Sequence, residues 1–95
     1  NVDTPTTDDD LFHWISEEYS RDNGPMWASP YFYHGITNGA DWYVIYGGMQ
    51  DWNVVWRGGR ELTLEISQQK WPAASKLDGF WNENQESMLA FLERG

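Results

Sequence analysis

Leu11, Ile15 and Tyr19 stand four residues apart, with Trp14 and Glu18 between them. That spacing puts one apolar stripe on an α-helix. The preceding run Thr7-Asp8-Asp9-Asp10 offers a hydroxyl cap and carboxylates at the positive end of the helix dipole. Asn23-Gly24-Pro25 predicts the end of this helix. Residues 26–40 are punctuated by Pro30, Gly35, Asn38 and Gly39 and read as a loop carrying Trp27, Tyr31, Phe32 and Tyr33. Residues 41–46 read as a short strand broken by Gly47-Gly48, and residues 50–56 as a short helix ended by Gly58-Gly59. Alternation is cleanest over residues 60–67. There Leu62, Leu64 and Ile66 would face one way and Glu61, Thr63, Glu65 and Ser67 the other. A loop around Pro72 leads to a closing helix over residues 80–93, with Trp81, Met88, Leu89 and Leu92 expected inward.

These elements predict an α/β fold with two or three short strands between an N-terminal and a C-terminal helix. Residues 1–7 are polar, with Pro5, and read as a flexible arm; residues 8–95 read as a single region. So few strands do not make a covered sheet unaided. The stripes Leu11–Ile15–Tyr19, Leu62–Leu64–Ile66 and Trp81–Met88–Leu92 are expected to pack together as the core, since each needs another to cover it. The aromatic loop would then be left on one side, facing a second chain, a copy of itself, or solvent.

Composition strengthens the impression of an uncovered surface. Seven Trp, five Tyr and four Phe in 95 residues are a large apolar load for a short chain. Fifteen acidic against six basic residues leave a net charge of −9, which argues against nucleic acid and against anionic membrane surfaces. Cysteine is absent, which removes disulfides, thiolate metal sites and a cysteine nucleophile. No apolar run approaches the length of a membrane span. His13 and Glu17 are four apart on the first helix and could touch one metal, but His34 has no ligand-spaced partner. A catalytic zinc site generally needs three protein ligands, so no metal residue is assigned.

The runs GITNGADWY (35–43), GGMQDWN (47–53) and ELTLEIS (61–67), followed by KWP and FWNENQESMLAFLE, bring a family into view. In this order they resemble the C-terminal part of the catalytic domain of a zinc metallocarboxypeptidase, of the N/E (regulatory) subfamily. The resemblance implies a partial metallocarboxypeptidase domain, a zinc cofactor, and a secreted or extracytoplasmic protein that removes C-terminal, basic residues from peptides. It makes Glu65 the catalytic carboxylate that takes a proton from the attacking water and passes it to the leaving amine. It makes Gln50 a substrate-binding residue, lining the pocket for the terminal side chain.

Departures from the family pattern matter as much. The family's zinc ligands and carboxylate-binding residues lie upstream of anything in this chain, so zinc is not expected on the chain alone. Val54 stands where the family has a Tyr that closes over substrate, Arg60 where it has an apolar residue, and Gly59 and Gln68 where many relatives carry cysteines. Three functions remain open at this point. One is a segment of a carboxypeptidase completed by another chain. Another is a non-catalytic carboxypeptidase-derived subunit that associates through its aromatic loop. The third is an unrelated aromatic-lined module for peptide or sugar.

Overall fold

The computed structural model describes residues 7–94. The expected arm therefore lies outside the described residues, except Thr7, which sits in a turn. Helix α1 runs over Asp9–Arg21, with Asp9 and Asp10 in its first turn and Arg21 in its last, so its charges oppose the helix dipole at both ends. Asp8, not Thr7, holds the N-cap position, and its side chain makes no capping bond.

Asn23-Gly24-Pro25 acts differently from the expectation. Instead of ending α1 through a left-handed residue, Asn23 opens the next helix by accepting a hydrogen bond from the Met26 N–H at 3.2 Å. This helix, α2, covers Gly24–Trp27, and Pro25 falls in its first turn, where no donor is missed. A 3-10 turn at Tyr33–Gly35 leads to α3, Gly39–Trp42, which Asn38 caps by accepting from the Ala40 N–H at 3.0 Å. The strand expected over residues 41–46 thus begins as helix, because the Asn38 cap outweighs the aromatic propensity of the residues that follow.

Helix α4, Met49–Arg57, matches the short helix read from the sequence. Gly58 closes it at φ 63°, and the Gly59 N–H returns to the Asn53 carbonyl at 3.0 Å. After a 3-10 turn at Ala74–Lys76, α5 fills Leu77–Arg94.

Among the described residues there is no strand, so the two or three expected strands are not found. Residues 60–67 alternate as a strand would, but alternation does not complete a ladder. Backbone N–H and C=O groups need a neighbouring strand, and nothing in the described chain supplies one.

The core forms where α1 meets α5. Ile15 and Tyr19 are its buried apolar residues, joined by four buried polar ones, Ser20, Asn23, Asn84 and Ser87. On α5 the inward residues are therefore Asn84 and Ser87, flanked by half-buried Phe80, Met88 and Phe91. Trp81, Leu89 and Leu92, expected inward, are exposed. The reason is hydrogen bonding. Ser87 Oγ donates to the Tyr19 carbonyl at 2.7 Å, and Asn84 Oδ1 accepts from both Tyr19 Oη and Asn23 Nδ2 at 3.0 Å. Small, satisfied polar side chains let the helices approach, and their hydrogen bonds offset the cost of taking them out of water. Leu64 and Ile66 are exposed and Leu62 is half-buried, so the third expected face adds no buried residue to the core.

The helices leave much of the chain uncovered. A folded monomer of 11.1 kDa exposes roughly 5,700 Å², whereas this chain exposes 7539 Å². The radius of gyration, 13.9 Å, also exceeds the roughly 12 Å of a compact domain of this length.

Candidate functional site

Gln50 and Asn53 are three apart on α4 and so share a face. Both turn to the segment that follows the helix. Gln50 Nε2 donates to the Glu61 carbonyl at 3.2 Å, and Gln50 Oε1 accepts from Thr63 Oγ1. Asn53 Nδ2 donates to the Glu61 carboxylate. Three side-chain hydrogen bonds therefore fasten residues 61–63 to α4, where a sheet would have used backbone ones.

Glu65 lies two residues beyond Thr63 and is exposed. Of the residues singled out from the sequence, Gln50 and the Glu65 segment are thus brought together, although no hydrogen bond joins the two side chains directly. Val54 is half-buried on α4, and Arg60 is exposed. Sequence reasoning missed Asn53, Glu61 and Thr63. The signal was present: all three are polar residues within the two motifs that carry Gln50 and Glu65.

A second cluster surrounds His34. Its ring stacks on Trp27 at 3.5 Å and on Tyr33 at 3.9 Å between centroids, and its Nδ1 is buried without a hydrogen-bond partner. Glu17 Oε1 stands 3.9 Å from that nitrogen and 3.8 Å from His13 Nδ1. His34 itself takes a left-handed backbone, φ 53°. The aromatic loop is therefore partly self-packed, with Phe32 edge-on to Trp42 at 5.5 Å, while Tyr31 and Tyr33 remain exposed.

The donor set does not fit a zinc ion. Among the described residues no group of three His, Cys, Asp or Glu side chains is placed to hold a metal. No chemical step is routed through zinc on this chain. Also among the described residues, no helix is long and apolar enough to cross a membrane.

The order of these motifs defines a class of protein. The family model described as zinc carboxypeptidase (peptidase M14) matches residues 1–87, and the chain belongs to that family. Carboxypeptidase SOL1 of Arabidopsis thaliana is 54% identical over 82 residues, which cover 86% of this chain and 17% of that protein. Human carboxypeptidase D is 38% identical over 96 residues, 92% of this chain and 7% of its own length. The human carboxypeptidase N catalytic chain is 42% identical over 95 residues, covering 96% and 21%. The chain thus spans about a fifth or less of each of these relatives. No solved structure matches it.

Proposed function

We propose that this chain is the C-terminal part of the catalytic domain of a zinc metallocarboxypeptidase of the N/E subfamily. The whole protein would remove C-terminal, basic residues from peptides and act in a secreted or extracytoplasmic setting. The observation that carries this reading is the family match across residues 1–87, which includes both the Gln50 helix and the Glu65 segment. Glu65 is the proton-transferring carboxylate, and its exposure leaves it open to water and substrate. Zinc belongs to the whole domain, on residues outside this chain, and the chain alone is inactive. Residues 60–67 would gain their sheet partners in that domain.

One substitution tests the assignment. Glu65→Gln in the full-length protein should lower turnover of a peptide ending in Arg by about 10²–10⁴-fold while leaving KM nearly unchanged. More than a tenth of the activity remaining would overturn it. Release of C-terminal Arg by the isolated chain supplied with zinc would overturn its inactivity.

The surplus surface favours a second reading, a carboxypeptidase-derived subunit that binds another chain without catalysing. Its docking face would be α4, where Met49, Trp52, Val55 and Trp56 are all more than half exposed, rather than the aromatic loop, whose Trp27 and Phe32 are already packed.

A further inference from the structure

We propose that Glu17 and His34 form an acid-strengthened latch that holds the Tyr33–Gly35 turn on α1. It starts from an unmet buried atom: His34 Nδ1 has no hydrogen-bond partner, while Glu17 Oε1 stands 3.9 Å away. The ring lies against Trp27 and Tyr33, at 3.5 Å and 3.9 Å between centroids. The His34 backbone is left-handed, φ 53°, which is costly for a residue with a Cβ. Such a conformation persists only where the surroundings over-determine it. Ser20 Oγ supplies one tie by donating to the His34 carbonyl at 2.5 Å, and the ring supplies the others. Gly35 belongs both to this turn and to the run 35–43, so the latch sets how that motif leaves α1.

A neutral His34 ring makes poor use of this setting. With its proton on Nε2, Nδ1 is a buried acceptor without a donor; with it on Nδ1, the carboxylate meets only a neutral donor. A second proton makes Nδ1 a charge-assisted donor facing a carboxylate, with two aromatic rings to attract the cation. Burial alone opposes charge on the ring, but the same burial leaves the neutral ring with an unmet nitrogen. The seated turn therefore holds the proton more firmly than a locally opened one, and by linkage the seat strengthens as pH falls through the imidazole range. The other charged groups around the ring come from α1, since α2 carries none. His13 Nδ1 lies 3.8 Å from the same Glu17 oxygen, but its side chain is 60% exposed and competes weakly. Arg21 sits 5.5 Å over the Trp27 ring and pairs with Glu18, which also holds Arg94. An arginine keeps its charge throughout this range and adds no pH dependence.

Hydrogen exchange of the full-length protein tests the latch at the Gly35 and Ile36 amides, which donate to the Phe32 and Tyr33 carbonyls at 2.8 and 3.2 Å. Protection factors, corrected for the intrinsic pH dependence of exchange, should rise about 3- to 10-fold from about pH 7.5 to about pH 5.5. Glu17→Gln keeps the length of the side chain and removes its charge, and should abolish most of that rise. His34→Asn, which suits the left-handed backbone, should flatten the profile as well. His13→Gln should leave the rise in place. A flat profile in the wild type overturns the latch. So does a full rise in Glu17→Gln or in His34→Asn, and so does a rise lost in His13→Gln, which would give the proton to His13. None of these outcomes depends on the role of Glu65.

Discussion

Tyr19 donates its phenolic proton to Asn84 Oδ1 at 3.0 Å, joining the buried face of α1 to that of α5. The same oxygen accepts from Asn23 Nδ2, and the Asn84 amide nitrogen donates to the Phe80 carbonyl at 2.8 Å. One asparagine therefore satisfies the end of α1, the start of α2 and its own helix.

The two partners of this bond should differ in the cost of their removal. Tyr19→Phe leaves Asn84 Oδ1 still bonded to Asn23 and should destabilise by about 1 kcal/mol. Asn84→Ala leaves both the Tyr19 hydroxyl and the Asn23 amide without a buried acceptor, and should cost roughly 2–4 kcal/mol. Urea unfolding of the two variants checks the order. An equal cost would mean that water replaces the asparagine.

Burial raises the pKa of Tyr19 above the usual 10.0. The folded chain then keeps a proton that the unfolded chain has already lost, so the sign is set. The contribution is fully present below pH 10 and is lost as pH rises through the folded pKa. The wild-type chain should lose stability between pH 9 and pH 11 relative to Tyr19→Phe, on urea midpoints at each pH. Parallel pH dependences would show that Tyr19 ionises as if exposed.

Gly35 is held at φ 70°, and a Cβ there would lie 2.4 Å from the Met26 carbonyl oxygen. Gly58 has a similar φ, 63°, but a Cβ there meets nothing within 4 Å. Gly35→Ala combines backbone strain with a clash against main chain and should destabilise by about 3 kcal/mol or more, against about 1 kcal/mol for Gly58→Ala. Thermal unfolding of both variants tests the difference. It also tests the close seating of the Tyr33–Gly35 turn on α2.

The exposed rings of α4 predict association. Trp52, Val55 and Trp56 lie at i, i+3 and i+4 and make one apolar patch. Replacing all three with Ser should shift the isolated chain toward monomer in sedimentation velocity while its helical circular dichroism persists. An unchanged mass distribution would place the contact elsewhere, with exposed Tyr31 and Tyr33 as the next pair to alter.

Local sequence was enough for α1 and α4. Leu11–Ile15–Tyr19 and Met49–Arg57 are local patterns, and Gly58 ends the second helix by its own backbone freedom. The motifs around Gln50 and Glu65 were likewise legible, because family resemblance is written in contiguous residues. Other features depended on distant partners. Which face of α5 turned inward was decided by Asn84 and Ser87 finding hydrogen bonds on α1, more than 60 positions away. An apolar stripe count gives such residues no credit, since a polar side chain is acceptable inside only once its partner is known. The same holds for residues 60–67: alternation pointed to a strand, but strand formation requires a neighbour that the described chain does not supply. Composition and order thus determined α1, α4, most of α5 and the motifs, and tertiary contact decided which polar groups were buried and which segment was clamped to α4. The division follows from range, because propensity and capping act within a few residues, while hydrogen-bond satisfaction and burial belong to whatever the fold brings together.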